Sequence, residues 1–380
     1  MRLDRRELSG AVADVGVLLP IAVALIVGNG LSATAVLLPA GLLYLTAAAV
    51  YRLPVPVQPL KAFGAIAIAK GLGSDEIAAG ALLMGVIFIV LGRFGLLDLA
   101  ARGFPRALIR GVQLTVGLLF LKIAWTLVTK PPKGFTEHAL SQSWALPLAL
   151  LVLVLAFALR KHPITLALVG AGAVAMVVLA GDKAAFGPSP ISLPHLDSAT
   201  FWTAFTVLVV PQVPLSFANS CLATADAARV YFGKAAERVR PGRLATTFGS
   251  ANLLAGAISG MPVCHGAGGM TAHYAFGART AAAPAAMGVL LLTMALALGA
   301  GLAGLLAAFP LPILAGVLAT AGVLHLLLLR DLSRARDWLV ALLVGFVGFE
   351  VNLTVGLALG LALWWLPVGV RQLPRLRTAS

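Results

Sequence analysis

The sequence predicts an all-α polytopic membrane protein of fourteen spans, and three observations carry that prediction. Of the 380 residues, 60% are hydrophobic and only 11% charged, with a mean hydropathy of +0.98. A soluble domain carries about 25% charged residues. Hydrophobic runs close to the roughly 20 residues that one crossing needs recur along the whole chain. Basic residues gather on alternate connections between those runs, as they do where Lys and Arg set membrane orientation. No polar stretch remains that could form a separate soluble domain of about 100 residues.

Taken in order, the first-half runs predict spans at 9–28, 31–51, a broken segment at 53–70, then 76–97, 106–128, 143–160 and 163–181. The second half predicts 200–223, 242–259, a broken segment at 260–277, then 282–305, 309–329, 337–352 and 354–370. FGPSPISLPHLDS (186–198) separates the halves. With a cytoplasmic N-terminus, every arginine from Arg2 to Arg377, with Lys161 and Lys234, falls inside. Lys70, Lys130, Lys133 and Lys183 fall outside, and Lys61 and Lys122 lie within spans. This parity places both termini in the cytoplasm and the protein in the cell inner (plasma) membrane. MRLDRRELSG, with no small-residue cleavage site after it, is the lead of the first span and not a removable signal.

The net charge of +14 belongs to that asymmetry. Aromatics are too sparse and basic residues too dispersed for a nucleic-acid platform. Cys221 and Cys264 lie in apolar segments and give neither metal spacing nor a disulfide framework. Metal-hydrolase, nucleophile-elbow and nucleotide-loop motifs are absent, so an enzyme is not expected, nor a cofactor. His265 and His273, eight apart on one helix, would not face a common haem.

The halves resemble each other. FPRALIRGVQLTVGLLFL (104–121) aligns without gaps on FPLPILAGVLATAGVLHL (309–326), sharing the Phe-Pro start and Gly, Val, Thr and Gly in register. Pro56-Val57-Gln58 falls on Pro262-Val263-Cys264 at nearly the same offset. Seven spans per half is odd, so residues 186–380 should repeat 1–185 upside down, as secondary transporters often do. The plainer alternative is accidental likeness between Gly- and Leu-rich helices.

Each broken segment carries chemistry. Pro54, Pro56 and Pro59 push residues 53–58 towards extended backbone, with a helix starting near Pro59. SGMPVCHGAGGMTAHYAFG (259–277) should be extended through Cys264 and helical from His265 or Gly266. Two helix N-termini meeting near the midplane would present unpaired N–H groups and partial positive charge to an anion. Lys61, about one turn into the first, and His265 add polarity, Gly266, Gly268 and Gly269 allow close approach, and neither segment contains a carboxylate. A cation site would need such oxygens. Gln212, Ser216 and Asn219 share one face of span 8, and Asp14 and Glu350 are candidate coupling carboxylates. The competing readings are simple kinks, a snorkelling Lys61, a His265 that only orients backbone, interhelical hydrogen bonding in span 8, and carboxylates merely solvated at the interfaces.

Four stretches, ELSGAVADVGVLLP (7–20), PVPVQPLKAFGAIA (54–67), QVPLSFANSCLATAD (212–226) and MPVCHGAGGMTAHYAFGAR (261–279), resemble the molybdate transporter family of plants, algae and bacteria. That family is related to the SulP sulphate transporters and, more remotely, to uracil permease-type carriers. The resemblance implies a seven-plus-seven inverted repeat with a mobile core (9–97 and 200–305) and a gate (104–181 and 309–370). It implies an oxyanion held by Gln58, Lys61, Gln212, Asn219, Cys264, His265 and the following Gly266, Gly268 and Gly269, to which the reading of the segments themselves adds Pro59, Leu60 and Ser216. Ala13 and Val17 depart from the family's first motif, which usually has glycine and threonine there. Unlike most SulP relatives, no STAS domain is expected after the last span. The function expected is secondary active transport of a tetrahedral oxyanion by elevator-type displacement of core against gate, molybdate first and sulphate second. Its partners would be the oxyanion, the bilayer and, as a candidate assembly, a second copy. A nucleobase-type permease would need a carboxylate in span 8 or 10 at a depth where there is none, and an anion channel would lack concentrative coupling.

Overall fold

A computed structural model of the chain describes residues 3–102 and 104–376. Arg2 and Arg377, counted above among the inner arginines, lie outside the described residues.

The chain is helical almost throughout. Helix α1 (Arg5–Ala11) starts at Asp4, whose side chain accepts from the N–H groups of Arg6 and Glu7 at 2.8 and 2.9 Å. A single 3₁₀ turn, Val12–Asp14, joins it to α2 (Val15–Asn29), which stops at Gly30 in the left-handed conformation. Helix α3 (Ala33–Tyr51) is capped by Ser32 and ends at Arg52. After strand β1 (Gln58–Pro59) come α4 (Lys61–Lys70), α5 (Ser74–Arg93), α6 (Leu96–Arg102), α7 (Arg106–Thr129), α8 (Gln142–Ala158) and α9 (Ile164–Ala180). The second half runs through α10 (Ser198–Ala204), α11 (Val210–Leu215), α12 (Thr224–Phe232), α13 (Pro241–Ala257), strand β2 (Val263–Cys264) and α14 (Ala267–Ala275). It ends with α15 (Ala282–Ala297), α16 (Leu302–Ala307), α17 (Leu311–Leu326), α18 (Ala335–Glu350) and α19 (Leu353–Leu376).

Among the described residues, seven helical stretches are long and apolar enough to cross a bilayer, and shorter apolar helices such as α8 and α15 accompany them. The expected span positions coincide with helices, with local differences that have physical causes. The 282–305 run is divided after Ala297, around Gly299 and Gly301, and the 76–97 run stops at Arg93. The span-8 run is continuous but contains two π-helical stretches, Phe205–Val209 and Ser216–Ala223, flanking the segment with Pro211 and Pro214. Proline removes backbone donors there, and wider turns re-accommodate the ladder.

Two packed groups of helices result. In one, α5 lies along α13 and α3 along α15; in the other, α7 lies along α17 and α18, with α8 on α17 and α19 on α18. Facing glycines set the close approaches: Gly85 with Gly249, Gly41 with Gly288 and Gly117 with Gly322. A Cβ on either member would lie 2.9–3.2 Å from the other's carbonyl oxygen. Small residues of this kind let apolar helices meet backbone to backbone. Outward, α8 and α9 leave Leu150, Val154, Val174, Val177 and Val178 exposed, a surface suited to hydrocarbon.

Candidate functional site

The two non-helical segments cross inside the protein. β1 pairs with β2 antiparallel, Gln58 opposite Cys264 and Pro59 opposite Val263, and the Leu60 N–H donates to the Pro262 carbonyl at 3.1 Å. Each strand runs directly into a short helix. Because the strands are antiparallel, α4 and α14 leave the crossing in opposite directions with their N-termini together. The helices begin at Lys61 and Ala267, a residue or two later than the prolines and glycines suggested, because strand pairing keeps Pro59 extended and Gly266 is extended as well (φ −153°, ψ 133°). Lys61 is thus the first helical residue and does not sit a turn inside the helix.

A buried polar chain occupies the crossing. Lys61 Nζ donates to Gln58 Oε1 at 2.6 Å, and Gln58 Nε2 donates to Asp14 Oδ1 at 2.5 Å. All three side chains are buried, with Lys61 only 7% exposed, and Asp14 Oδ2 has no hydrogen-bond partner among the described residues. Lys61 Nζ also lies 5.6 Å from the centre of the Phe120 ring. The α14 tip closes on this chain. A Cβ on Gly266 would collide with Gln58 Oε1, and one on Gly269 would lie 2.7 Å from Asp14 Oδ2, Gln58 Nε2 and Pro56 Cβ. One on Gly268 would meet Phe120 at 2.6 Å. Only glycine allows this approach, and the N–H groups of Ala267, Gly268 and Gly269 stand in a first turn that offers them no intrahelical acceptor.

Span 8 supplies one further contact. Gln212 Oε1 accepts from the Phe63 N–H at 2.9 Å, capping α4 from outside the helix, while its amide donates to Ser216 Oγ at 2.9 Å. Asn219 is buried nearby in sequence, with its side-chain oxygen unpartnered among the described residues.

Several supporting residues went unnoticed in the sequence. Asn252 of α13 clamps β2 at both Val263 groups, accepting from its N–H at 2.7 Å and donating to its carbonyl at 2.9 Å. A lone amide in an apolar span was the available signal. His265 Nδ1 donates to the Pro56 carbonyl at 2.8 Å, while its Nε2 meets the Thr247 hydroxyl at 2.9 Å, itself 2.6 Å from Tyr51 Oη. His273 Nδ1 donates to the Pro54 carbonyl at 3.0 Å. The second segment's histidines therefore satisfy carbonyls that the first segment's prolines leave without a ladder.

The structure brings Asp14, Gln58, Lys61, Gln212, Ser216, Cys264 and the three glycines to one crossing. Pro59 and Leu60 contribute backbone, and Cys264 Sγ donates weakly to the Pro59 carbonyl at 3.8 Å. His265 has both ring nitrogens engaged by protein. Glu350, the last residue of α18, is exposed and takes no part in the crossing. Neither broken segment holds a carboxylate, and Asp14, a candidate coupling carboxylate from the first span, reaches the crossing from outside both.

On the α4 side, a cavity of about 530 Å³ reaches the first turn of α4 at Ala62. It continues past Ile66, Pro211 and Thr115 to Asn352 and Thr354.

Comparison with known proteins fits this architecture. The family model described as "Molybdate transporter of MFS superfamily" matches residues 6–120 and 204–324, more than half of the chain. Molybdate transporter 1 of Arabidopsis thaliana is 29% identical over 394 residues, covering 93% of this chain and 86% of that protein. Molybdate transporter 2 of the same plant is 26% identical, covering 95% and 86%. Among solved structures, the transmembrane domain of the cyanobacterial bicarbonate transporter BicA superposes with a TM-score of 0.58 at 19% identity, covering 94% of this chain and 96% of that one. Murine Slc26a9, an anion transporter in its inward-facing state, gives 0.62 at 15% identity, covering 97% and 68%. At those identities the likeness is one of fold. With the matched stretches containing both strands, both short helices and the Asp14–Gln58–Lys61 chain, the protein belongs to the molybdate transporter family, a family of membrane transporters and not of enzymes.

Proposed function

We propose that the protein is a secondary active transporter that holds a tetrahedral oxyanion, molybdate before sulphate, between the tips of α4 and α14. The observation that carries this reading is the antiparallel crossing that aims two helix N-termini at one buried place beside Lys61. Each tip contributes about half a positive charge and free N–H donors, which favours a compact anion. In this reading Gln58, Lys61 and the first-turn amides of α14 contact the oxyanion. Gln212, Ser216, Asn219 and Cys264 complete the walls, and His265 holds the Pro56 backbone in place.

Asp14 gives the site its driving ion. An ionised carboxylate one amide away from the guest would oppose a doubly negative charge, so a proton taken up by Asp14 accompanies the anion, making a symporter. Glu350 has no part in this step.

The helix pairs support an inverted repeat. Spans 2 and 11 pack as α3 on α15, spans 9 and 4 as α13 on α5, and exchanging the halves turns one pair into the other. An elevator-type movement then carries the first packed group, with both tips, past the α7–α17 group. We place the protein in the plasma (inner) membrane, multi-pass with both termini cytoplasmic, from the arginine asymmetry. A homodimer is the proposed assembly, readable from the mass of the detergent-solubilised protein.

Uptake of radiolabelled molybdate into proteoliposomes tests the reading. Saturable, concentrative uptake competed by tungstate, and more weakly by sulphate, is expected. Absence of saturable uptake of either anion overturns it, and flux without accumulation makes the protein a channel.

A further inference from the structure

A second ionic cluster lies away from the crossing, where α7, α12 and the turn after α17 meet. The Arg110 side chain is fully buried and its guanidinium is shared by two carboxylates. Nε donates to Asp331 Oδ1 at 2.9 Å and Nη2 to Asp331 Oδ2. Nη1 donates to Asp226 Oδ2 and, at 2.8 Å, to Gln113 Oε1. The carboxylates come from different elements. Asp331 follows α17, which packs along the α7 that carries Arg110, whereas Asp226 is on α12, continuous in one helical stretch with Gln212 and Ser216 of the crossing.

Another bond spans the same boundary on the same side: Thr271 Oγ1 of α14 lies 2.7 Å from His325 Nδ1 of α17, and Tyr231 Oη donates to that Thr271 at 3.0 Å. On the α4 side, by contrast, the boundary holds the 530 Å³ cavity. Bonds therefore cross the boundary where Arg110 sits, and the cavity lies on the α4 side.

We propose that the Arg110–Asp226 bond is a releasable latch closing the path from the crossing to the arginine-rich side, opened each time that side is exposed. This rests on the transport reading above. The two-carboxylate arrangement suits the task. When Asp226 departs with the crossing, Arg110 keeps its two-point pair with Asp331, so no buried charge is left alone. Asp226, its side chain 18% exposed while latched, meets water on release.

The test is accessibility, which does not depend on the cargo. Val112 is buried beside Arg110 in sequence and belongs to the apolar cluster that holds Ala227 and Ala228 of α12. A Val112→Cys protein in inside-out vesicles is treated with a membrane-impermeant maleimide, the unaltered chain giving the background of Cys221 and Cys264. Adding Asp226→Asn is expected to raise the labelling rate at least fivefold, Asp226→Glu to restore protection, and Asp331→Asn to leave it nearer the starting rate. Folded Asp226→Asn protein labelled at the starting rate overturns the proposal. Should that variant not fold, Thr271→Cys with His325→Cys is oxidised to a cross-link. Uptake lost on oxidation and regained on reduction supports the latch, and full uptake while cross-linked overturns it. Increased labelling without any oxyanion uptake would sink the cargo assignment and leave the latch standing.

Discussion

Lys61 is a buried cation whose nearest buried counter-charge, Asp14, stands one glutamine away. Removing it should therefore weaken anion binding more than it weakens the fold, because Gln58 can still bond Asp14. Lys61→Met is expected to raise the molybdate Kd at least about tenfold, or about 1.4 kcal/mol. Isothermal titration of the purified variant checks this, and an unchanged Kd would remove Lys61 from the site. Gly269 makes the complementary case. Its Cβ would press on Asp14, Gln58 and Pro56 together, so Gly269→Ala should abolish uptake and cost about 1–3 kcal/mol of overpacking. Normal uptake by that variant would mean that the tip of α14 does not close on the cargo. At this scale the sequence placed Lys61, Gln58 and the glycines on the two broken segments and named Asp14 as a candidate carboxylate. It did not show the bond between Asp14 and Gln58, because the two lie 44 positions apart.

Elements owe their position to bonds that local sequence does not display. Strand β2 is two residues long and has β1 on one edge and the Asn252 amide on the other. Asn252→Leu would leave a buried N–H and carbonyl of Val263 unsatisfied, at about 1–3 kcal/mol each. We expect a lower thermal midpoint in detergent and weaker molybdate binding, with Asn252→Asp, which keeps the acceptor, falling between. Equal stability in all three proteins would argue against the clamp. The end of α13 makes the opposite prediction. Gly260 N donates to the Ala255 carbonyl at 2.7 Å and Ser259 N to the Gly256 carbonyl at 3.5 Å, a Schellman ending with Ser259 at φ 52°. A left-handed position that glycine fills without strain is here filled by serine, with its hydroxyl buried and unpartnered among the described residues. Ser259→Gly should stabilise the protein by about 1 kcal/mol, and a lower midpoint would contradict the strain argument.

On the scale of the whole molecule, the crossing joins distant parts of the chain into one charge balance. If Asp14 carries the proton, an outside-acid gradient should drive molybdate accumulation in proteoliposomes. Asp14→Asn, neutral in every state, should bind molybdate at least as well yet lose that drive and merely equilibrate. Undiminished gradient-driven accumulation by the variant would assign the coupling elsewhere. The same balance explains why the arginines matter twice. Under the proposed orientation most would mark the inner face, but Arg110 is drawn inward by two carboxylates that the linear order keeps far apart.

The sequence by itself determined the class, the approximate helices, the two proline- and glycine-broken segments and the basic face. Each follows from composition, span length or a residue's own backbone limits, all of which are local. Only the tertiary structure decided that the broken segments pair as antiparallel strands, that Asp14 bonds Gln58 at their crossing, that His265 spends both nitrogens on its neighbours, and that Arg110 pairs with both Asp226 and Asp331. Those depend on which buried donors and acceptors find one another across the fold, and in a low-dielectric interior that matching is settled by spatial neighbours, not by order along the chain.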